Sequence, residues 1–305
     1  MKIIVQFSGG KDSHASLLWA VHRYGTENIQ AVFCDTGWEH PLTYAHIQSV
    51  IKKLGVTLKI ITSKKYAGFI DLVTKKKRFP STKARFCTQE LKIKPFVDYI
   101  LDEVKDHFIA IQGIRKDEST SRSKMTSMCR HFKFYLEPYG YTKEGKAKYH
   151  TYRKKEVLEY IQNYDDSILR PMFKWTAQDT IDFILTNGHI PNPLYLKGFS
   201  RVGCFPCIQC SHTEIKQILK FYPNRIKELE SYEKELQTSF FSPDYIPKRF
   251  CSKTAIVKKG IKKGQIVAYP TTEDVTSYIR NKNATGDLFE QEELFSCMSY
   301  YSLCE

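Results

Sequence analysis

Apolar and polar positions along this chain alternate between two periods. Ile3 to Phe7 is a short, continuous apolar run containing β-branched residues, the pattern of a strand buried on both faces. The glycine-bearing turn Ser8-Gly9-Gly10 follows, and from Ser13 to about Tyr24 the apolar positions fall at helical spacing. The succession then repeats. Ile29 to Cys34 reads as a second strand closed by Asp35-Thr36-Gly37. Pro41 to Leu54 reads as a helix with Leu42, Ile47, Val50, Ile51 and Leu54 on one face and Gly55 as its C′ residue. Val56 to Ile61 gives a third strand, Glu90 to Lys105 a helix, and His107 to Gln112 a fourth strand. Lys64 to Thr88 is basic and reads as a loop around Pro80. Met125 to Asp166 has no clear period, although Tyr139 to Tyr152 alternates aromatics with Gly and Lys as a β-hairpin insertion would. Ile168-Leu169-Arg170-Pro171 leads towards Thr176, an N-cap with Asp179 at the third position of a helix reaching about Thr186.

Strands alternating with helices predict an α/β fold, a doubly wound and mostly parallel sheet with right-handed crossovers. Ligand then belongs at the carboxyl edge of the strands, where Ser8 to Ser13 and Cys34 to Gly37 both fall. The character of the chain changes near residue 200. Residues 1–200 are expected to form the nucleotide-binding domain, and 201–305 a cysteine-rich, mainly helical C-terminal extension. That extension holds polar helices from about Glu214 to Leu236, then a basic strand-prone segment and an acidic-aromatic tail with Cys297 and Cys304. The cysteine run at its start is expected to fold back on the core.

A chain of 305 residues with 42% hydrophobic residues can bury a substantial core. No stretch approaches the ~20 apolar residues of a membrane helix. The chain enters a strand directly, with no export leader ahead of it, so a cytoplasmic setting is the default. Charge is lopsided, at +14 net. Basic runs lie at Lys64 to Lys94, Lys143 to Lys155 and Lys248 to Lys263. One such run is a solvated face, whereas three of one sign favour a polyanionic partner. In a reducing compartment, nine cysteines with a tight cluster read as metal ligands or reactive thiols rather than disulfides.

The turn Ser8-Gly9-Gly10-Lys11-Asp12-Ser13 is built to hold phosphate. A strand-to-helix junction offers backbone N–H groups and the positive end of a helix dipole. Gly9 and Gly10 let the backbone approach an oxyanion, Lys11 supplies charge, and Ser8 and Ser13 supply hydroxyls. The spacing does not fit GxxxxGK[ST], which disfavours γ-phosphate transfer. The run resembles instead the loop of the N-type ATP pyrophosphatases, which split ATP between the α and β phosphates. Phe33-Cys34-Asp35-Thr36-Gly37-Trp38-Glu39, Arg85-Phe86-Cys87-Thr88 with Leu91-Lys92, Gly113-Ile114-Arg115-Lys116-Asp117-Glu118-Ser119 with Arg122, and Val202-Gly203-Cys204-Phe205-Pro206-Cys207 follow it in order. Together they resemble the phosphoadenosine phosphosulfate (PAPS) reductase family within that superfamily, over residues 1 to 210. The resemblance implies an adenine nucleotide α-hydrolase-like fold. It also implies a nucleotide site of Ser8, Gly9, Gly10, Lys11, Asp12, Ser13, Asp35, Gly113, Arg115 and Arg122, with Lys11, Asp12 and Arg115 catalytic and ATP bound with Mg²⁺. Arg115 and Arg122 would clamp phosphates; a surface ion-pair cluster with Asp117 and Glu118 is the plainer reading. Asp35 reads equally as a turn-capping residue.

Cys204, Cys207 and Cys210 at C-x2-C-x2-C spacing can aim three thiolates at one centre, which selects zinc or an iron–sulfur cluster. Where a ferredoxin-type run would place its next cysteine this chain has Glu214, so a fourth ligand comes from elsewhere. By resemblance it is Cys87, whose motif aligns with a cluster-binding segment of relatives that reduce adenylyl sulfate or thiolate DNA. A 4Fe-4S cluster on Cys87, Cys204, Cys207 and Cys210 is the first expectation. Structural zinc on the three run cysteines plus His212 or Cys87 is the alternative.

True PAPS reductases have a degenerate first loop and a C-terminal catalytic cysteine in a Glu-Cys-Gly-Leu/Ile-His setting. Here the loop is intact and the tail reads Ser296-Cys297-Met298-Ser299 and Leu303-Cys304-Glu305. Three functions are therefore expected in order. The first is an ATP pyrophosphatase that adenylates an acceptor and supports sulfur transfer to nucleic acid, DNA or tRNA, with a sulfur donor such as a cysteine desulfurase and no membrane partner. The second is a PAPS or adenylyl-sulfate reductase releasing sulfite. The third is a non-catalytic nucleic-acid-binding member of the fold.

Overall fold

The computed structural model describes residues 1–82, 84–256 and 264–284. Lys83, Cys297, Cys304 and the end of the third basic run lie outside the described residues. Six strands form the main sheet: β1 Lys2–Gln6, β2 Ile29–Cys34, β3 Thr57–Ile61, β4 Phe108–Gln112, β5 Met128–Arg130 and β8 Asp166–Leu169, in the order β3-β2-β1-β4-β8-β5. All neighbours pair in parallel except β5, which runs antiparallel to β8 at the edge. The α/β, mostly parallel sheet read from the sequence is what the chain forms. From β1 the chain winds outward through β2 and β3, then returns to place β4 on the other side of β1. That reversal opens a crevice between the β1 and β4 exits, where doubly wound sheets bind ligand.

Helices α1 (Lys11–Tyr24) and α2 (Pro41–Leu54) start and stop for local reasons. α1 follows Gly10 directly and buries Ala15, Leu17, Leu18 and Ala20. α2 opens with Pro41 in its first turn, and the His40 side chain accepts the Leu42 N–H. Gly55, at φ +65°, closes it in the left-handed conformation expected of a C′ glycine. The turn to α1 is tighter than its sequence suggests, since the helix begins at Lys11 rather than Ser13.

Three segments depart from the sequence reading. Phe69–Lys76, within the stretch expected to be a loop, is helix α3; Phe69, Leu72 and Val73 are its buried positions, a stripe too short to stand out beside the lysines that follow. Residues 86–104 are one helical run with π-helical stretches at Gln89–Ile93 and Ile100–Val104, so this helix starts before Glu90. Lys154–Asn163 is a helix burying only Val157 and Tyr160, too sparse a pattern to assign. The alternation at Tyr139 to Tyr152 does give a hairpin, β6 Gly140–Tyr141 with β7 Ala147–Lys148.

After the cysteine run come the helices His212–Phe221, Pro223–Leu236 and Thr272–Ala284, with an antiparallel pair, β9 Lys253–Ile256 and β10 Ile266–Tyr269. Residues on both sides of position 200 share one apolar cluster, in which Trp38, Phe69, Leu72 and Leu91 pack with Phe199, Phe205, Ile215, Leu229 and Phe240. Among the described residues, no helix is long and apolar enough to cross a membrane.

Candidate functional site

The loop after β1 is held from within and from below. Ser13 Oγ donates to Gly10 O at 2.9 Å and accepts the Ser8 N–H at 3.2 Å, closing the turn on itself. Gly9 sits at φ +77°, and a Cβ there would come within 2.9 Å of Ile47 on α2. Gly113, at the β4 exit, is tighter: a Cβ would lie 2.5 Å from the Asp12 and Ser13 backbone. Only glycine lets the β4 exit lie against the start of α1, so the crevice forms where the topology places it.

A third segment, not singled out in the sequence, completes the loop. Asn192 Nδ2 donates to Gly9 O at 3.2 Å, and the Lys11 amide donates to Tyr195 Oη at 2.9 Å. Lys11 is buried, its Nζ 3.3 Å from Ser200 O and 5.2 Å from the centre of the Tyr195 ring. Asn192 lies between Pro191 and Pro193, and that rigid bracket was the available signal. Beneath the loop, His14, His46 and His189 form a buried cluster with His14 Nε2 3.3 Å from His189 Nδ1. Burial, reinforced by the neighbouring His46, lowers the His14 pKa to about 2, and burial lowers that of His46 to about 4.

The charged residues expected at the site are found near it, and paired. Arg115 is buried and its Nε donates to Asp12 Oδ1 at 2.6 Å, so two residues expected to be catalytic form an ion pair across the crevice. Arg122 pairs with Glu118, which also accepts the Arg115 N–H at 2.9 Å. Asp35 takes the turn-capping role, with Oδ1 accepting from Gly37 N at 2.8 Å and Tyr44 Oη at 2.7 Å. The buried carboxylate of Glu39 accepts from Thr36 Oγ1 at 2.7 Å and, at 3.2 Å, from the Thr36 and Trp38 amides.

Glu39 also joins the loop edge to the cysteine run through an isolated β-bridge with Cys204. The Phe205 amide donates to Trp38 O at 2.7 Å, and Trp38 Nε1 donates to Pro206 O at 3.1 Å. Arg225 stacks on the Trp38 ring at 3.5 Å and donates from Nε to Phe205 O at 2.6 Å. Cys204, Cys207 and Cys210 line one small cavity with Arg201, Phe199 and Glu214. Burial pushes the Cys204 thiol up to about 12, against the pull of the Lys92 ammonium. Burial raises the Cys87 and Cys210 thiols too, and the Cys207 thiol adds to the rise at each. A buried thiol set that resists ionisation is the chemistry a bound cation reverses, since metal binding displaces the protons. As donors these residues fit a thiolate-held metal. Among the described residues, no three His, Cys, Asp or Glu side chains are drawn to metal-binding separations. His212, the alternative zinc ligand, has its Nε2 2.8 Å from Tyr245 O.

The model of the phosphoadenosine phosphosulfate reductase domain matches residues 2–210. An uncharacterised 37.8 kDa protein of Escherichia phage 186 is 28% identical over 299 residues, covering 81% of this chain and 80% of the phage protein. An adenosine 5′-phosphosulfate reductase of Streptomyces coelicolor is 25% identical, covering 59% of this chain and 61% of its own. Among solved structures, the PAPS reductase of Candida auris aligns at TM-score 0.44 and 13% identity, covering 68% of this chain and 83% of that one.

Proposed function

From the premise that the chain belongs to the phosphoadenosine phosphosulfate reductase domain family, we propose that it is an ATP pyrophosphatase that adenylates an acceptor and supports sulfur transfer to nucleic acid. Residues 1–200 would be the nucleotide-binding unit and 201–305 the cysteine-rich extension. The observation that carries this reading is the intact Ser8–Ser13 turn, closed on itself and seated with a buried lysine at the β1/β4 switch point. ATP would lie with its phosphates against this turn. An acceptor oxygen attacks the α-phosphorus, the bond from that phosphorus to the bridging oxygen breaks, and pyrophosphate leaves with the electron pair. Lys11 and the loop amides neutralise the charge building on the leaving group. Mg²⁺, when bound, would add to that neutralisation. Asp12 fixes Arg115 beside the turn, and the persulfide of a donor such as a cysteine desulfurase then displaces AMP; a second thiol cleaves the mixed disulfide so formed, supplying the two electrons that leave the sulfur on the acceptor.

Cys87, Cys204, Cys207 and Cys210 would hold a 4Fe-4S cluster, or zinc in its place, and a cluster would supply an iron able to bind sulfur. The surplus of positive charge supports a nucleic-acid acceptor, DNA or tRNA. Pyrophosphate release from ATP, compared between the wild type and Lys11→Ala with DNA, tRNA and small-molecule acceptors, tests the reading. Release that depends on Lys11 supports it; equal release from the variant sinks it. The Streptomyces relative favours a second reading, reduction of adenylyl sulfate. It predicts sulfite from that substrate without ATP cleavage.

A further inference from the structure

The hairpin β6–β7 stands out on the surface because its large exposed side chains are, Glu144 apart, tyrosines and lysines. Tyr139, Tyr141 and Tyr149 are 51%, 64% and 37% exposed. Between Lys143 and Lys155 the chain carries five exposed lysines, Lys143, Lys146, Lys148, Lys154 and Lys155, against Glu144 and no other acid. The register pairs Gly140 with Lys148 and Tyr141 with Ala147. Beyond Gly140 the ladder is bulged: the Tyr139 N–H also donates to Lys148 O, at 2.9 Å, so Tyr139 is not paired squarely with Tyr149. Side chains alternate across a strand pair, so Tyr141 and Tyr149, the latter two residues past Ala147, share one face while Lys146 and Lys148 lie on the other. Thr142 O accepts the Gly145 N–H at 3.1 Å in the turn that carries Lys143.

The base of the hairpin is also braced. Tyr139 meets the His150 ring at 5.2 Å and the Phe134 ring at 6.3 Å, while His150 contacts Tyr135, which is buried in the body. Lys154 Nζ lies 5.4 Å from the centre of the Tyr149 ring, so a cation stands beside the aromatic face.

We propose that this hairpin docks an unpaired polynucleotide strand, its bases stacked on the Tyr141–Tyr149 face and its phosphates held by Lys143 in the turn and Lys154 beside Tyr149. Charge alone would suit any polyanion, and an acidic protein needs no row of rings. Base faces do, and they are accessible only when bases are unstacked, which favours a single strand over a duplex. Ring and ammonium groups do not read the sugar, so DNA and RNA strands of one sequence bind about equally. The site deepens the nucleic-acid reading above and takes its biological sense from it, whereas the binding itself requires no ATP chemistry.

The test is fluorescence anisotropy with end-labelled strands of about 20 nucleotides, as single-stranded DNA, single-stranded RNA and duplex DNA, without ATP. Single strands are expected to bind at least several-fold more tightly than duplex, with DNA and RNA within about threefold of each other. Tyr141→Ala should weaken binding about tenfold, and Tyr141→Phe should restore it, because stacking needs the ring and not the hydroxyl. Replacing Lys143 and Lys154 together by Ala should flatten the slope of log affinity against log salt by about 1.4, whereas replacing Lys146 and Lys148, on the other face, should change it less. Tyr141 is largely exposed, so its variants keep the fold. Lys11→Ala should bind strands normally, and Tyr141→Ala should retain acceptor-independent pyrophosphate release, which separates a failure here from a failure of the ATP reading. Tighter binding of duplex, equal binding by Tyr141→Ala, or competition by polyglutamate as effective as by an unlabelled strand would each overturn the proposal.

Discussion

The sheet edge that carries the Ser8–Ser13 turn and the cysteine run lie side by side, joined through Trp38 and Glu39, yet they are built in opposite ways. The loop edge is a backbone construction. Its shape follows from where β1 ends, where α1 begins and where Gly113 removes a side chain, with Ser8 and Ser13 closing it from within and Asn192 and Tyr195 bonding its backbone from outside. The cysteine run is a side-chain construction, in which a loop after residue 200, the helical run at residue 86 and the C-terminal helices converge on one apolar cluster. The first should therefore be intolerant of small changes in backbone space. The second should tolerate them and depend on thiol chemistry.

The sharpest division is expected from Lys11→Ala. It should lower pyrophosphate release about 100-fold or more while leaving far-ultraviolet circular dichroism unchanged, the size typical of removing one charge-stabilising donor. Next, Gly113→Ala should destabilise the chain by about 1–3 kcal/mol in urea unfolding, because the new Cβ meets backbone that cannot rotate away. Gly203→Ala, beside the cysteine run, meets nothing within 4 Å and should stay within about 0.5 kcal/mol. Equal effects would erase the contrast. Cys204→Ser and Cys207→Ser should each remove most of the iron or zinc that co-purifies with the chain, measured by elemental analysis, while nucleotide binding to the loop persists; unchanged metal content would deny those thiols a ligand role.

A smaller effect concerns pH. His14, His46 and His131 have folded pKa values depressed by burial to about 2, 4 and 4. Below their ordinary value of about 6.5, the unfolded chain takes up protons that the folded chain refuses. Stability is thus complete above pH 6.5 and falls as pH drops towards 4, by at most about 1.4 kcal/mol per pH unit for each histidine. Urea midpoints at pH 7.5, 6 and 5 check this, and a flat profile would show that those rings are not held neutral.

The same contrast explains what could be read from the chain alone. The loop was legible because strand, glycine turn, lysine and helix start are contiguous, and periodicity places them at a sheet edge. The Asp12–Arg115 pair joins residues 103 positions apart, so each was found without its partner. Tyr195 and Asn192 were missed for the same reason, since their hydrogen bonds reach back more than 180 residues. The C-x2-C-x2-C spacing was visible, whereas the bracing of Trp38 by Arg225 exists only after folding. α3 was lost because a short helix buries too few positions to set a period beside a lysine run.

On the proposed reading, ATP is cut between its α and β phosphates at the Ser8–Ser13 turn. ATP labelled at the α-phosphorus, incubated with the protein and candidate acceptors and separated by chromatography, tests it most directly. Label is predicted in AMP or an adenylated acceptor, with an equal amount of pyrophosphate and loss of both in Lys11→Ala. Label in ADP with release of inorganic phosphate, or AMP formation unaffected by Lys11→Ala, would contradict it.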